Sequence, residues 1–366
     1  MSLKLGIIRT SSIGDVVLAS ACLDYLEQVA PHAQVVWVGR GQSLDLLKRS
    51  WPKIITADLP SRASLAQKKI VKETLAQCDA IIDLQTSLAS RLLVFSSAKP
   101  GVPIIRAKKA KTFRLKLVFK ALARGRFMCW PKETLGADKL QFRMMLEALD
   151  LALQPWQLSN LSTLDRARPH LPNLSAGRAE FAWERELGFG RWLAVAPGAS
   201  HEPKRAPAEV FQDVLAALAK QNQSKDRSLG LVLVGGPEDR VAATELIDSI
   251  RWEGPILNLA GKLTLDQTMH ALGRVCALLS NDSGLSHIAE AVGTSVAVLF
   301  GPTIESFGFA PWRSTSRAFS SYIGCRPCSR HGKKKCRFGD NLCFQAIDTK
   351  AVAEHLMRLI DGGSSR

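Results

Sequence analysis

The sequence predicts an α/β fold of two doubly wound units, each with a parallel sheet covered by helices on both faces. Two observations and one general rule about sheets predict it. The chain has 366 residues, which suits two domains of ordinary size. Short apolar strands alternate with amphipathic helices over about the first 100 residues, and the alternation restarts near residue 190. Strands that are apolar throughout are typical of parallel sheets buried on both sides.

The first unit begins with an apolar run at residues 3–9, followed by helical spacing over residues 14–29 that stops at Pro31. Further strands are predicted at residues 34–39, 53–57 and 80–85. A polar stretch at residues 159–175 contains prolines and has the composition of a linker. We therefore place the first domain at residues 1–170.

The second unit repeats this pattern. Its predicted strands are residues 192–197, 229–236, 256–260, 277–281 and 295–300, and its helices 207–220, 238–250 and 283–292. We place the second domain at residues 176–345 and leave open that a helix at residues 349–361 packs back on the first domain.

The net charge indicates an anionic partner. There are 49 lysines and arginines against 33 acidic residues, a formal charge of +16, which favours nucleic acid, an acidic lipid surface or a phosphorylated substrate. Aromatic residues make up only 7% of the chain and are not interleaved with the basic ones, which argues against nucleic acid.

Because neither a signal peptide nor a spanning segment is evident, we expect a cytoplasmic protein.

The first junction suited to chemistry is Arg9-Thr10-Ser11-Ser12-Ile13-Gly14-Asp15, which follows the first strand and opens a helix. Ligands of parallel sheets bind at this edge, and free N–H groups at a helix start favour anions. The junction has neither the three-glycine dinucleotide fingerprint nor the lysine of a phosphate loop. It therefore predicts neither a dinucleotide cofactor nor ATP at this position. Asp15 can equally act as a first-turn acid that complements the helix dipole.

Two further junctions lie in the second unit. At residues 197–207, Ser200 and Lys204 could hold a diphosphate, and an ordinary exposed basic loop is the alternative. At residues 280–289, Asp282 or Ser283 could cap a helix that carries His287 one turn later. A capped helix with a packed histidine is the alternative there.

Six motifs occur in an order that resembles the ADP-heptose:lipopolysaccharide heptosyltransferases, glycosyltransferase family 9. Over residues 4–345 they are Gly14-Asp15, Asp83-Leu84-Gln85, Pro197-Gly198-Ala199-Ser200 with Lys204, Val234-Gly235-Gly236-Pro237-Glu238, Asp282 to Ala289, and Leu299-Phe300-Gly301-Pro302-Thr303. Taken together they are specific for the family and not for one of its members.

The resemblance implies the GT-B architecture, in which two Rossmann-like domains face each other across a cleft. The acceptor belongs to the N-terminal domain and the sugar nucleotide to the C-terminal one. The implied reaction is an inverting, metal-independent transfer of heptose from ADP-heptose to an inner-core lipopolysaccharide acceptor, or of another sugar by a same-family enzyme. Implied partners are an ADP-sugar, an anionic lipid-linked saccharide and the anionic cytoplasmic surface of the inner membrane, with no nucleic acid and no required cofactor.

The resemblance also implies roles for individual residues, with Asp15 as the general base toward the acceptor hydroxyl. The residues implied to bind the donor are Ser200, Lys204, Glu238, Asp282, Ser283, Gly284 and His287. Those implied on the acceptor side are Ser11, Ser12, Gly14 and Gln85. The sequence departs from the family at Arg205, since an aromatic residue commonly follows the lysine. This departure leaves the exact donor open.

Residues 99–126 contain ten basic residues and no acidic one, with Leu115, Val118, Phe119 and Leu122 at helical spacing. Such a helix can lie on an anionic membrane, contact an anionic acceptor, or pack its apolar stripe on its own core.

Four cysteines, Cys325, Cys328, Cys336 and Cys343, lie within 19 residues. The spacing of the first pair suits a structural zinc. A loose thiol cluster or a disulfide is the alternative, and we favour it because similar cysteines recur in some members of the family.

Overall fold

The computed structural model describes residues 2–108, 110–125, 140–172, 183, 185, 190–223 and 228–362. The chain divides into two compact units. The first contains residues 1–109 and 141–176, and the second contains residues 110–140 and 177–366.

The first unit is built on a parallel sheet of five strands. These are β1 (Lys4–Ile8), β2 (Gln34–Gly39), β3 (Ile55–Asp58), β4 (Ala80–Asp83) and β5 (Ile104–Arg106). Their order across the sheet is β3-β2-β1-β4-β5. Burial of β1, β2 and β4 on both faces explains why these strands read as continuous apolar runs.

Eight helices with defined bounds lie between β1 and the second sheet in the described part of the chain. They are α1 (Ile13–Ala19), α2 (Ala21–Val29), α3 (Gly41–Ser50), α4 (Leu65–Leu75), α5 (Leu88–Phe95), α6 (Lys111–Arg124), α7 (Gln141–Leu153) and α8 (Leu161–Arg166). The single helix predicted at residues 14–29 is thus two helices that meet at Ser20. The Ser20 hydroxyl donates to Val17 O at 2.7 Å and accepts from the backbone N–H of His170 at 3.0 Å.

The second unit contains a parallel sheet of six strands. These are β6 (Arg191–Ala196), β7 (Leu229–Leu233), β8 (Ile256–Asn258), β9 (Ala277–Asn281), β10 (Ser295–Phe300) and β11 (Arg317–Ser320). Their order is β11-β10-β9-β6-β7-β8.

The helices of the second unit end with a long C-terminal one. They are α9 (Ala208–Gln223), α10 (Arg240–Ser249), α11 (Leu265–Gly273), α12 (Gly284–Ala291), α13 (Leu342–Gln345) and α14 (Thr349–Gly362). Helix α14 buries Val352, Leu356 and Ile360, spaced by four residues, in the core of this unit beside α9. It therefore belongs to the second unit and not to the first, the alternative that the sequence left open.

Helix α6 also belongs to the second unit, although the sequence boundary put residues 99–126 wholly in the first domain. Its buried face, with Leu117 and Val118, packs on Ile304 and Phe307. Arg114 completes this contact by donating from Nη2 to Phe307 O at 2.5 Å. The predicted apolar stripe is therefore divided, because Val118 faces the core while Leu115, Phe119 and Leu122 stay exposed.

Each sheet has one place where the strand order reverses. In the first it lies between β1 and β4, and in the second between β6 and β9. At such a point the loops that follow the two central strands run to opposite sides of the sheet. A crevice therefore forms at the carboxyl ends of these strands, and parallel sheets generally bind their ligands there. No helix in the described part of the chain is both long and apolar enough to cross a membrane.

Candidate active site

The reversal point of the first sheet holds an ion pair between Arg9 and Asp15. Arg9 follows β1, and its Nη2 lies 2.6 Å from Asp15 Oδ2, with the two side chains 5% and 21% exposed. Arg9 Nη1 also donates to Leu84 O at the end of β4, at 2.8 Å. The guanidinium thus joins the carboxyl ends of the two central strands and holds the Asp15 carboxylate beside them.

Asp15 also closes the start of α1. Its Oδ2 accepts from the backbone N–H and from the hydroxyl of Ser12, both at 3.2 Å. Ser12 has extended backbone angles and is the N-cap of the helix. The capping alternative for Asp15 is therefore real, and it fixes the same partly exposed carboxylate that a general base would need.

Gln85 connects the two loops of this edge. Its Oε1 accepts from the backbone N–H of Thr10 at 3.2 Å, and its Nε2 donates to Ser11 Oγ at 3.5 Å. Gly14 is buried within the first turn of α1. The structure therefore brings Ser11, Ser12, Gly14 and Gln85, the residues predicted on the acceptor side, together with Asp15.

The reversal point of the second sheet is organised by Asn281, at the end of β9. Its Nδ2 donates to Pro197 O at 2.7 Å, and its Oδ1 accepts from the backbone N–H of Ala206 at 3.1 Å. Asn281 is fully buried. One amide therefore holds both ends of the loop that carries Ser200 and Lys204.

Lys204 pairs with Asp282 in this crevice. Lys204 Nζ lies 2.6 Å from Asp282 Oδ2, and the side chains are 17% and 7% exposed. Thr303, which follows β10, donates from Oγ1 to the same carboxylate oxygen at 2.7 Å. The methylene stem of Lys204 lies on Gly332, where an added Cβ would come within 2.6 Å of its Cγ. The ammonium is thus held in place through its stem as well as its charge.

The start of α12 contains two more of the residues predicted to bind the sugar nucleotide. Ser283 is the N-cap, with extended backbone angles, and Gly284 is the first helical residue. The Ser283 Oγ is buried and has no hydrogen-bond partner among the residues that the structure describes. An oriented helix start with a buried hydroxyl suits an anionic oxygen of a ligand.

His287 is 5% exposed and stacks on Trp312, with the ring centroids 5.8 Å apart. Phe309 lies on it as well, at 6.2 Å. The structure thus agrees with the packed-histidine alternative at this position. Contact with a sugar remains a prediction for His287.

Ser200 and Glu238 are both exposed. Ser200 lies in the loop after β6, and Glu238 lies in a 3-10 turn, Pro237–Asp239, after β7. Arg205, which stands where the family has an aromatic residue, donates from Nε to Ala199 O at 3.1 Å and lies 3.3 Å from Asp239 Oδ1. The charge of Arg205 therefore joins the loop of Ser200 and Lys204 to the turn that contains Glu238.

The loop around Lys204 is electropositive. Burial lowers the pKa of His201, and the nearby charges of Lys333 and Lys204 lower it further. The positive charges of Lys333 and Lys204 that act on His201 also favour negative charge on a ligand at this loop.

The four C-terminal cysteines line one small pocket with Pro203 and Pro302. Burial raises the pKa of Cys328 to about 11. Burial acts in the same direction on Cys336, but backbone N–H groups led by that of Phe338 outweigh it and lower the pKa of Cys336. Within the described ranges, no three His, Cys, Asp or Glu side chains are placed to hold a metal ion.

The sequence interpretation missed three residues that position the predicted ones. These are Arg9, Asn281 and Thr303. Arg9 directly follows β1, Asn281 ends β9, and Thr303 lies three residues after β10. This position near a strand end was the available signal, but the partners of the three residues are fixed only by the order of the strands.

Two Rossmann-like units, each with polar side chains gathered at its reversal point, are the construction of the GT-B glycosyltransferases, and solved enzymes share this fold. The chain is similar over 99% of its length to the structure of ADP-heptose lps heptosyltransferase II of E. coli, at a TM-score of 0.66 and 21% identity, and covers 100% of that chain. It is also similar to E. coli heptosyltransferase WaaC with ADP-2-deoxy-2-fluoro heptose, at a TM-score of 0.60 and 16% identity, covering 99% of this chain and 100% of that one.

A relative in sequence is lipooligosaccharide heptosyltransferase 2 of Haemophilus influenzae, 23% identical over 323 residues, which are 82% of this chain and 84% of that protein. The family model of glycosyltransferase family 9 (heptosyltransferase) matches residues 69–338, and the chain belongs to this family. It is therefore a glycosyltransferase.

Proposed function

We propose that the protein transfers heptose from ADP-heptose to an inner-core lipopolysaccharide acceptor, with inversion at the anomeric carbon. The observation that carries this proposal is the placement of two different polar sets at the two reversal points. In the first unit a carboxylate is placed where it can act as a general base. In the second unit a lysine, a helix start and a buried hydroxyl form a set that can bind a diphosphate.

The donor is proposed from this chemistry and from relatives. One similar enzyme was solved with ADP-2-deoxy-2-fluoro heptose, and another is an ADP-heptose transferase by its description. In this chain Lys204 and Ser200 would contact the diphosphate, and Glu238 the nucleoside. Asp282, Ser283, Gly284 and His287 would surround the sugar and its phosphate.

The proposed step is a direct displacement. The acceptor hydroxyl oxygen forms a bond to the anomeric carbon of heptose while the bond from that carbon to the phosphate oxygen breaks. Asp15 takes the hydroxyl proton, and ADP leaves with the electron pair. Lys204 and the N–H groups that begin α12 stabilise the charge that develops on the departing diphosphate. No step uses a metal ion, because a lysine and a helix start supply positive charge where the leaving group forms.

The proposed acceptor is anionic and lipid-linked, and the proposed location is the cytoplasmic face of the inner membrane. The net charge of +16 supports this part. Exposed basic side chains of α6, such as Lys116 and Lys120, add to the support. Lys109, which belongs to the same basic segment, lies outside the described residues.

The proposal is tested by calorimetric titration of the purified chain with ADP-heptose, ADP, UDP, adenosine and a short oligonucleotide. We expect saturable binding of ADP-heptose and ADP, with adenosine much weaker. Preference for UDP would replace the donor by another nucleotide sugar. Binding of the oligonucleotide alone would overturn the enzyme site and support the nucleic-acid alternative.

A further inference from the structure

Helix α5 of the first unit has an unusually apolar outer face. Leu88 is 74% exposed, Leu92 60% and Phe95 84%. These residues are spaced by four and three positions, so they form one stripe along the helix. Scattered exposed leucines are ordinary, but three large side chains in register on two turns are a surface that marks an interaction.

The stripe is held rigidly by the opposite face of the same helix. Leu93 and Val94 are buried in the core of the unit. Ser90 donates from Oγ to the buried Asp83 at 3.0 Å, and Asp83 also accepts from the backbone N–H of Thr86 at 2.7 Å. The orientation of α5 is therefore fixed from both ends of its first turn, and the apolar stripe cannot rotate inward.

The charges close to the stripe in sequence are basic, and helix α4, which contacts α5, carries three lysines and one glutamate. Arg91 lies on the outer face among the apolar residues and is exposed, and Lys99 follows the helix and is exposed as well. Between Asp83 and Glu133 the chain has no acidic residue. An apolar stripe whose surroundings are mainly basic is complementary to an anionic bilayer, with the apolar side chains at the acyl boundary and the cations among the headgroups.

We propose that the outer face of α5 docks on an anionic phospholipid bilayer through Leu88, Leu92 and Phe95. The helix starts three residues after Gln85, on the acceptor side of the first unit. Docking there brings that side to the surface in which a lipid-linked acceptor is anchored. This inference extends the proposed function, but it concerns a different surface and stands on exposure and charge alone.

Helix α6 offers a matched comparison. Its exposed apolar residues are of the same kind, with Leu115 at 41%, Phe119 at 61% and Leu122 at 45% exposure. They lie in the second unit and are flanked by more basic residues than the stripe of α5. If charge alone decided membrane binding, α6 would therefore bind more strongly than α5.

The test is sedimentation of the purified full chain with vesicles made of equal parts phosphatidylglycerol and phosphatidylcholine, without any acceptor. One variant carries Leu92→Gln and Phe95→Gln, and the control carries Leu115→Gln and Phe119→Gln. We expect the α5 variant to lose about tenfold or more in partition, while the α6 control loses less than about threefold. Both should keep the melting temperature and the ADP affinity of the parent, because all four side chains are exposed.

Several outcomes would overturn the inference. They are no sedimentation of the parent, equal sedimentation with phosphatidylcholine alone, and a loss confined to the α6 variant. A parent that is dimeric in analytical ultracentrifugation, with the dimer lost in the α5 variant, would assign the stripe to a second copy of the chain. Transfer to a water-soluble truncated acceptor is measured separately, and it reports on the proposed function whether or not the vesicles bind.

Discussion

Arg9 Nη2 lies 2.6 Å from Asp15 Oδ2, and the Arg9 side chain is only 5% exposed. The backbone carbonyl of Arg9 also accepts from Trp37 Nε1 of β2 at 3.4 Å. The position of the carboxylate is therefore determined by three neighbouring strands, β2, β1 and β4, and not by the helix of Asp15 alone. In the proposed role of general base, a carboxylate held in this way needs little reorganisation when the acceptor hydroxyl arrives.

Replacement of Arg9 should impair turnover through the position of Asp15. In Arg9→Gln we expect kcat to fall roughly tenfold or more, because the carboxylate is no longer held between the strand ends. Arg9→Lys should recover part of the loss. The ADP affinity should stay unchanged, since the donor residues belong to the other unit. Steady-state kinetics, with calorimetry for ADP, make the measurement.

The matched control is Arg62→Gln, at an exposed arginine of the same unit. Equal losses in the two variants, or an unchanged kcat in Arg9→Gln with an unchanged melting temperature, would show that Arg9 does not position the base.

Lys204→Ala should weaken the binding of ADP by about 1.5–3 kcal/mol, the usual cost of losing a charged hydrogen bond. The loss should not extend to adenosine, because only the phosphates contact the ammonium. Calorimetric titration of both ligands measures the difference, and Lys335→Ala at an exposed lysine is the control. An equal loss for adenosine and ADP would place Lys204 away from the diphosphate.

Asp282 should modify that result. The Asp282 carboxylate is 7% exposed and lies 2.6 Å from the lysine. Removing Lys204 therefore leaves a buried negative charge that repels the ligand. The double variant Lys204→Ala with Asp282→Asn should bind ADP more tightly than Lys204→Ala alone. A double variant that binds no better would exclude this repulsion.

Glu290 on α12 should make the second unit less stable as the pH rises. Burial raises the pKa of Glu290 from 4.5 to about 7, although N–H groups of Arg313 and Trp312 donate to it. The folded state therefore holds a proton between about pH 4.5 and 7 that the unfolded state has lost. Stability from this group is present at low pH and is lost as the pH rises through 7.

This dependence is measured by urea unfolding of the parent and of Glu290→Gln between pH 5 and 8. Relative to the variant, the parent should lose about 1–3 kcal/mol over that range. Glu245→Gln, at an exposed position on α10, is the control and should follow the parent. Parallel curves for the parent and Glu290→Gln would contradict the assignment.

The basic segment should contribute to membrane binding through charge. Replacing Lys108, Lys109 and Lys111 by glutamine should lower binding to anionic vesicles at low salt, since each basic residue near such a surface adds about 1 kcal/mol. The difference should shrink at high salt, where screening removes it. ADP affinity should hardly change. Equal sedimentation of variant and parent at both salt concentrations would direct attention to acceptor contacts instead.

The central strands were predictable from sequence because burial on both faces leaves a continuous apolar run, as in β1, β4 and β9. The edge strands β5 and β11 were missed. They have three and four residues, with partial exposure, and produce no such run. The division of α6 into a buried and an exposed face was missed as well, because Phe307 and Ile304 lie nearly 200 positions away in sequence.

Some features of the candidate site were predictable from the sequence and others were not. The placement of Asp15, Gln85 and Lys204 at the carboxyl edges of the sheets was predictable because each lies at or after the end of a predicted strand. The sequence could not predict that Lys204 pairs with Asp282 or that His287 is buried on Trp312. Both contacts depend on how the loops pack once the strands are ordered.

The central claim is that Asp15 is the base of a heptosyl transfer from ADP-heptose. The most direct test is the rate of transfer to truncated inner-core acceptors by the purified parent and by Asp15→Asn, with ADP affinity measured on both. We predict that the parent forms the heptosylated product. Asp15→Asn should lose roughly 100-fold or more in turnover and keep its ADP affinity within a few-fold. Near-normal turnover in Asp15→Asn would reduce Asp15 to its role in capping α1 and contradict the claim.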